Sequence, residues 1–180
     1  MTNGKRYWAP VTSRFGTFAA WVDAEGRLLR FHLRAKGAAA IDPEAECNEK
    51  KLAQVQRQVT EYDGGKRREF DLELVPAGPE FHKQVWNALL EIPFGETTSY
   101  GAIARRVGQA NAARAVGVAN GANPIALVIP CHRVIGSDGS LTGYGGGLPL
   151  KRALLEHEAC VVGRPLDLFA QRPRNALLLG

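Results

Sequence analysis

Hydrophobic and polar residues alternate between positions 5 and 35 in the manner of paired β-strands. Two runs that mix apolar and polar residues, Phe15–Val22 and Arg27–Leu33, are separated by the turn Asp23–Gly26. A short connection rich in Asp, Glu and Gly between two such runs is typical of a β-hairpin. The pattern therefore predicts an antiparallel pair of strands near the start of the chain.

The next segment predicts a helix followed by a strand. The helix is expected from Pro43 to about Tyr62, with Asp42 as its N-cap, because proline suits the first helical position. Asp63–Lys66 contains two glycines and should end it. Residues 68–75 then alternate cleanly between polar and apolar side chains, which predicts another strand.

A domain boundary is predicted at Pro76–Pro79, where two prolines and a glycine interrupt the pattern. Beyond it the apolar spacing changes from the period of a strand to that of a helix. Apolar residues recur on one face between Phe81 and Ile92, with Trp86 beside them. The second half of the chain is therefore expected to be mainly helical.

Two shorter helices are predicted next. One is expected from a Thr98 or Ser99 cap to a stop at Gly108, and the other follows a cap at Asn111. Two helices joined by a three-residue turn that contains glycine are typical of a helix-turn-helix. This arrangement predicts a DNA-binding function.

The second of these helices presents mostly small residues, and Arg114 is its only charge. Major-groove recognition helices usually aim Arg, Gln, Asn or Lys at base edges. Small residues instead allow close approach of a backbone and give no sequence discrimination. They are equally typical of tight helix–helix packing, and the two interpretations are compatible on different faces of one helix.

A turn and an apolar run lead to the candidate nucleophile. Asn123-Pro124 is a turn signal, and the apolar residues 125–129 are long enough for a short buried strand or extended segment. The proline that follows ends regular pairing just before Cys131 and His132. A thiol there is either an inert small hydrophobe or a nucleophile in a dry pocket. The neighbouring His132 and Arg133 favour a thiolate, and therefore the second interpretation.

The last predicted helix starts at Pro149, after a flexible loop, Gly143–Gly147, that could close a pocket over a flat ligand. Its apolar stripe includes Glu158, whereas Glu156 points away. Burying an unpaired charge costs several kcal/mol, so Glu158 needs a partner. The alternative is a carboxylate that reaches solvent at the end of the helix. The stripe is formed by Leu150, Leu154 and Leu155.

The composition is that of an ordinary globular protein with a basic bias. A length of 180 residues suits one or two small domains, and 45% of the residues are hydrophobic and 23% charged. The net charge is +5. No carboxylate lies between Glu96 and Asp138, where the charged residues are Arg105, Arg106, Arg114 and Arg133. This window predicts a positive face for a polyanion, unless the gap in acids only surrounds a buried core.

Cysteine usage favours a reducing, cytoplasmic setting, because Cys47, Cys131 and Cys160 form neither a CxxC pair nor a disulfide framework. No signal-peptide pattern or membrane-spanning apolar run is present. Cys47 and Cys160 are expected to be structural. A zinc site built from Cys47, His32 and His82 lacks a metal-ligand spacing, so no metal is predicted.

Three motifs in order along the chain resemble those of the O6-alkylguanine-DNA alkyltransferases, the methylated-DNA–protein-cysteine methyltransferases that repair alkylated bases. They are Arg114-Ala115-Val116-Gly117, Asn123-Pro124 and Pro130-Cys131-His132-Arg133-Val134. The resemblance runs from about Phe81 to Glu158, nearly half of the chain.

The resemblance implies an α+β fold in two domains. Residues 1–78 would form a small N-terminal α/β domain of the ribonuclease H-like kind. Residues 79–163 would form a mainly helical domain with a helix-turn-helix and the active-site cysteine. The tail, residues 164–180, extends past the resemblance, and its Leu177–Leu179 run is expected to dock on the first domain.

The implied reaction is direct-reversal DNA repair. The alkyl group of O6-alkylguanine would pass irreversibly to Cys131 in a single turnover, after the nucleotide is flipped out of the duplex. Activity on O4-alkylthymine and cooperativity on DNA stay open. The implied partner is double-stranded DNA bound without sequence specificity by a monomer, with no cofactor and no membrane association.

The resemblance also implies roles for single residues. Cys131 would accept the alkyl group, Glu158 would orient His132, Tyr100 would donate to guanine N3, and Asn123 would hold the turn. Arg114 would fill the space left by the extruded nucleotide. The implied DNA-binding residues are Arg114, Ala112, Ala113, Ala115, Gly117, Tyr100, Arg105 and Arg106. The implied pocket residues are Cys131, Val134, Tyr144, Gly145 and Gly146, and glycine at 145, where some relatives have larger residues, suggests a roomier pocket.

Two other function classes compete with this hypothesis. A cysteine hydrolase would use Cys131 and His132, but it would need an oxyanion hole and would leave the small-residue helix unexplained. A non-catalytic helix-turn-helix regulator or lesion sensor would share the DNA-binding features. The alkyltransferase-like sensors lack the cysteine, so Cys131 argues against that alternative.

Overall fold

The computed structural model describes residues 4–164 and has an α+β architecture. The main sheet has the strand order β3-β2-β1-β4, in which β1 and β3 lie antiparallel to β2 and β4 is parallel to β1. A second sheet pairs β5 with β6 in parallel. The strands are β1 (Arg6–Ser13), β2 (Gly16–Asp23), β3 (Leu28–His32), β4 (Glu46–Cys47), β5 (Thr98–Ser99) and β6 (Val134–Ile135).

Six α-helices are described within residues 4–164, together with one 3₁₀ turn. The helices are α1 (Ala38–Ile41), α2 (Ala53–Asp63), α3 (Glu80–Leu90), α4 (Tyr100–Arg106), α5 (Ala113–Gly121) and α6 (Leu148–Val161), and the 3₁₀ turn is Cys131–Arg133. None of these helices is both long enough and apolar enough to cross a lipid bilayer. The predicted docking of Leu177–Leu179 concerns residues outside the described range.

The predicted hairpin is confirmed by β2 and β3. Its turn is closed by Asp23, whose Oδ1 accepts the backbone N–H of Arg27 at 2.8 Å. Gly26 adopts φ 87°, a left-handed conformation that favours glycine. β2 is buried from Phe18 to its end because its two faces contact separate apolar clusters.

The predicted helix start at Pro43 is wrong, although the predicted stop after Tyr62 is confirmed by α2. Asp42 does not cap a helix, because Arg6 holds its carboxylate through contacts of 2.6 and 3.1 Å. Four residues later the chain pairs with β1 as β4, which is incompatible with a helix there. A tertiary ion pair and a strand pairing therefore override the local capping signal.

The predicted strand at residues 68–75 is also wrong. The segment meets β3 at a single bridge, between Leu28 and Leu74. Further along, the Gln58 side chain takes both backbone groups of Asp71, accepting from its N–H at 2.8 Å and donating to its carbonyl at 2.7 Å. The Gln58 side chain thus occupies the backbone groups that a neighbouring strand would bind in a continuous β-ladder.

The predicted helices of the second half are confirmed, with one wrong cap. α3 buries Val85, Trp86 and Leu89. The Ser99 hydroxyl accepts the N–H of Ala102 at 3.2 Å and so caps α4. The cap expected at Asn111 is wrong, because α5 begins one residue later, with Ala112 at its N-cap position and no side-chain cap.

Residues 125–129 form a buried turn, not a regular strand. The edge of β3 fixes its start, because Phe31 donates its N–H to Pro124 at 2.9 Å and accepts from Ala126 at 3.2 Å. Leu127 has φ 72°, a left-handed conformation that non-glycine residues rarely adopt. One continuous apolar core extends from the main sheet to the helices. The N-terminal sheet therefore positions the segment that leads to Cys131.

Candidate active site and DNA-binding surface

Cys131 begins the 3₁₀ turn and is 4% exposed. The Asn123 side chain fixes the turn before it, since its Nδ2 donates to the carbonyl of Ile129 at 2.9 Å and its Oδ1 accepts the N–H of Ile125 at 3.0 Å. Asn120, on α5, also donates to the carbonyl of Cys131 at 3.4 Å. The thiol is therefore held on a backbone that two asparagines stabilise.

The two residues that follow Cys131 belong to a buried ion-pair network with Glu158. His132 Nε2 is 2.7 Å from Glu158 Oε1, and both side chains are 0% exposed. Arg133 donates to the same carboxylate through Nε at 2.8 Å and through Nη2 at 3.0 Å, and its Nη1 donates to the carbonyl of Ile92. Gly95 adds a backbone N–H at 3.1 Å.

The partner expected for Glu158 is therefore present, but one part of the surface prediction is wrong. Arg133 was counted among the charges of a positive face, and it is buried and neutralised by Glu158. Arg106 is exposed and lies 3.2 Å from Glu91, which reduces its contribution. The positive face of this window is formed mainly by Arg105 and Arg114.

The pKa values in the network are set by burial and by this ion pair. Burial raises the pKa of the Cys131 thiol, against opposing effects of a hydrogen bond from Asn123 and the charge of Lys151. Burial lowers the pKa of His132, although Glu158 acts in the opposite direction. Burial opposes ionisation of Glu158 as well, yet His132 and Arg133 hold its pKa well below the usual range. These directions favour a thiol, a neutral imidazole and a carboxylate at rest. The charge of Arg133, which was expected to favour a thiolate, is paired with Glu158.

Sequence reasoning missed Lys151, which is completely buried on α6. Its Nζ donates to the carbonyls of Val134 at 2.7 Å and Thr142 at 2.9 Å, so it ties the residue just before the Gly143–Gly147 loop to β6. Burial lowers its pKa to about 8, while the nearby Cys131 acts to raise it. The sequence did indicate this position, because Lys151 lies four residues before Leu155 and seven before Glu158, on the same helix face.

Sequence reasoning also missed Tyr62 of α2. Its hydroxyl donates to Glu158 Oε1 at 2.9 Å. Its spacing with Val55 and Val59 is that of an ordinary apolar helix face, and nothing local distinguishes it from a core residue.

The predicted pocket residues belong to the 3₁₀ turn, to β6 and to the Gly143–Gly147 loop. Tyr144 approaches the His132 ring at 6.4 Å between centroids, and its buried hydroxyl has no hydrogen-bond partner among the described residues. Tyr100 is 2.8 Å from Thr142 Oγ1 through its hydroxyl. Val134 pairs with the strand before α4 in the small sheet. These contacts bring the loop, the turn and the start of α4 together.

The two pocket glycines differ. A Cβ added at Gly145 would meet nothing within 4 Å. A Cβ added at Gly146 would overlap Leu150 Cδ2 and lie 3.1 Å from Leu33 Cδ1 and 3.3 Å from Tyr144 Cε1. Glycine is therefore needed for close packing at position 146, whereas position 145 would accept a side chain.

The small residues of α5 were interpreted either as helix packing or as a surface for close approach to DNA, and these two interpretations apply to different faces of the helix. Val116, Ala119 and Asn120 are buried, and the carbonyl of Ala119 accepts the indole N–H of Trp86 at 2.8 Å. The other face exposes Arg114, Ala115 and Val118, the last at 66%. The remaining predicted contact residues, Ala112, Ala113 and Gly117, are half-buried.

No metal site is evident in the part of the chain that the structure describes. No three His, Cys, Asp or Glu side chains between residues 4 and 164 lie close enough together to hold an ion. Cys47 and Cys160, for which a structural role was predicted, are both exposed free cysteines.

Comparison with known proteins agrees with the resemblance found in the sequence. Residues 80–160 match the family described as 6-O-methylguanine DNA methyltransferase, DNA binding domain. A methylated-DNA–protein-cysteine methyltransferase of Methanosarcina acetivorans is 44% identical over 84% of this chain and 97% of its own length. One from Mycobacterium tuberculosis is 57% identical over 62% of this chain and 68% of its own. The crystal structure of Mycobacterium tuberculosis OGT in complex with DNA matches 90% of this chain and 97% of that one, with 41% identity and a TM-score of 0.79.

Proposed function

The chain belongs to the methylated-DNA–protein-cysteine methyltransferase family and repairs DNA by alkyl transfer, and we propose that Cys131 is the residue that accepts the alkyl group. The observation that carries this assignment is the 2.7 Å contact of Glu158 with His132, the residue that follows the buried Cys131; both side chains of the contact are fully buried. Cys47 and Cys160 are exposed and have no such partners among the described residues.

The proposed chemistry begins with His132. Its Nε2–H donates to Glu158, which leaves the lone pair of Nδ1 as a proton acceptor. Nδ1 is buried and has no partner among the described residues. The Cys131 proton passes to Nδ1 through a water molecule, because adjacent residues of a turn do not face each other. The acid–base relay therefore forms a thiolate only when it is needed.

The thiolate sulfur then attacks the alkyl carbon. A carbon–sulfur bond forms, the bond from carbon to O6 of guanine breaks, and its electron pair stays on the base. Tyr100 donates its proton to guanine N3, so that a neutral base leaves, and the imidazolium returns a proton to the phenolate through solvent. The product is a thioether, whose sulfur is not displaced under cellular conditions, so each molecule reacts once.

The proposed DNA-binding element is the helix-turn-helix formed by α4 and α5. The exposed face of α5 enters the minor groove, where Ala115 and its half-buried neighbours Ala112, Ala113 and Gly117 let the backbone approach closely. Arg114 fills the space of the extruded nucleotide, and Arg105 and Arg106 contact phosphates. No side chain on this face is placed to distinguish base edges, so binding is without sequence specificity.

The flipped base is proposed to bind between the turn and the Gly143–Gly147 loop. Backbone groups of Cys131, Val134 and Gly145 contact its edge, and Tyr144 and Gly146 shape the pocket. A modified guanine pairs poorly, which lowers the cost of a few kcal/mol for extrusion. O4-alkylthymine presents the same alkyl–oxygen bond and is proposed as a second substrate.

The remaining proposals concern the domains, the oligomeric state and the location of the protein. We propose that residues 1–78 form a ribonuclease H-like domain, supported by a mixed sheet in which an antiparallel hairpin lies on one side of β1 and a parallel strand on the other. Residues 79–163 form the alkyltransferase domain, which acts as a monomer on double-stranded DNA in the cytoplasm.

A titration with lesion-containing DNA tests the assignment of the acceptor. Repair of O6-methylguanine in a duplex should stop at one equivalent, with an intact-mass gain of one methyl group that peptide mapping locates on Cys131. Cys131→Ser should bind the same duplex and gain no mass. Label on Cys47 or Cys160, or repair beyond one equivalent, would overturn the proposal.

A further inference from the structure

Tyr62 connects the N-terminal half of the chain to the nucleophile network. It lies on α2, 96 residues before Glu158, and its hydroxyl donates to Oε1 of that carboxylate at 2.9 Å. Both side chains are completely buried. Among the described residues that bind this carboxylate, Tyr62 alone comes from the part of the chain before Pro76.

The phenol ring is fixed by aromatic contacts from both halves. It stacks on Phe70 at 5.7 Å between centroids and meets Phe94 edge-on at 5.9 Å. His157, one residue before Glu158, packs against the ring at 5.2 Å, and its Nε2 lies 2.8 Å from the Tyr62 carbonyl. The hydroxyl is therefore aimed at Oε1 by a rigid surrounding, and a rotamer change would break several contacts at once.

We propose that Tyr62 is a positioning residue for alkyl transfer, which holds Glu158 and limits how much of the carboxylate charge acts on His132. Oε1 accepts from Tyr62, from His132 and from Arg133 Nη2, so the three donors share the charge of one oxygen. The inference rests on the proposed roles of Cys131, His132 and Glu158.

Removing the hydroxyl should change the acid–base behaviour of the site. Burial keeps the pKa of Tyr62 well above its ordinary value, so it stays a donor at all working pH values. Without this donor, the carboxylate acts more strongly on His132, and the pKa of His132 rises. Protonated His132 cannot accept the thiol proton, so the low-pH fall of the reaction rate should move to higher pH. The other titratable groups facing this site are Cys131, Arg133, Tyr144, Lys151 and His157.

Tyr62→Phe tests the proposal in the full chain, with Tyr7→Phe as the matched control. Tyr7 is a buried tyrosine of β1, and within residues 4–164 it has no hydrogen bond or ring contact with Glu158 or His132. Single-turnover rates would be measured between pH 5 and 9 with free O6-benzylguanine and with an O6-methylguanine duplex. Tyr62→Phe should slow both substrates about tenfold near neutral pH, the size expected for one hydrogen bond to a charged group. It should also shift the acid limb upward, whereas Tyr7→Phe should leave the pH profile unchanged.

The double variant Tyr62→Phe with Glu158→Gln separates positioning from general damage to the fold. If Tyr62 acts through Glu158, its effect on rate and pH profile disappears in the Glu158→Gln background. An unchanged pH profile for Tyr62→Phe, or a full additional loss in the double variant, would overturn the inference. Failure of the wild-type protein to alkylate Cys131 would instead overturn the proposed function, so the two failures are distinguishable.

Discussion

Glu158 accepts five hydrogen bonds from four residues, whereas the exposed face of α5 carries one charge, Arg114, beside small or apolar side chains. The first region is buried, and each of its polar groups except Nδ1 of His132 has a directed contact within the described residues. The second region is open, and Val118 within it is 66% exposed. One is specified by the contacts it makes, and the other by the absence of bulky and acidic side chains.

This difference separates two kinds of variant. A change in the buried network should slow reaction with every substrate, because it acts on the thiol. A change on the α5 face should slow reaction with duplex DNA alone, because free O6-benzylguanine needs no helix to be opened. The ratio of the two single-turnover rates therefore assigns a residue to one region or the other.

The largest effect is expected for Glu158→Gln. The substitution leaves Arg133 buried without its counter-charge, and breaking a buried ion pair costs about 3–5 kcal/mol. The free energy of unfolding should fall by that amount, and both substrates should react more slowly by the same factor. Denaturant unfolding and the two single-turnover rates measure these effects.

Glu156→Gln is the matched control, since Glu156 lies on the same helix but is exposed. It should change neither stability nor rate. The folded pKa of Glu158 is held below an unfolded value of about 4.3, so its contribution to stability is present above that pH and is lost as the pH falls through the folded pKa. An equal loss in both glutamine variants, or a difference that persists unchanged in strong acid, would contradict the network.

The sequence predicted the network only in part. Cys131, His132 and Glu158 could be predicted because two lie in one motif and the third occupies an apolar stripe on a helix. Lys151 occupies the same stripe and could have been found by the same argument. Tyr62 could not, since its contact with Glu158 joins distant segments and depends on how α2 packs. For the same reason the buried position of Arg133 was missed, because its charge suggested a surface.

The next largest effect is expected for Arg114→Ala. If Arg114 stabilises the extruded nucleotide, the variant should react about tenfold or more slowly with an O6-methylguanine duplex, because a loss of about 1.4 kcal/mol is a tenfold change in rate. Its rate with free O6-benzylguanine should be unchanged. Arg57→Ala, which removes a 66%-exposed arginine from α2, is the control and should affect neither substrate. Equal losses on both substrates would place Arg114 with the buried network.

For the α5 surface, the absence of carboxylates in the sequence was a better guide than the helix-capping signals. The carboxylate-free window around α5 leaves Arg105 and Arg114 without a salt-bridge partner in residues 4–164. The wrong helix start at Pro43 has a tertiary cause. Single capping signals are worth about 1 kcal/mol, and a tertiary contact such as that between Arg6 and Asp42 readily outweighs them.

The smallest effect on the reaction rate is expected at the Gly143–Gly147 loop. Gly146→Ala should lower stability by about 1–3 kcal/mol, because its Cβ would overlap Leu150 and press on Leu33 and Tyr144. Displacement of Tyr144 should also slow both substrates, if the loop closes over the base as proposed. Thermal unfolding and the two rates measure the effect.

Gly145→Ala makes the comparison within one loop, because an added methyl group there meets nothing within 4 Å. Its stability should stay within about 0.5 kcal/mol of the wild type, as for a surface substitution that touches no special feature. Position 145 has no positive φ, so backbone strain does not add to the cost. If Gly145→Ala slows only the larger benzyl substrate, the residue limits adduct size from the open side. If it destabilises the fold as much as Gly146→Ala does, the loop packs more tightly at position 145 than its contacts indicate. Residue 145 would then belong with the buried network and not with the open face.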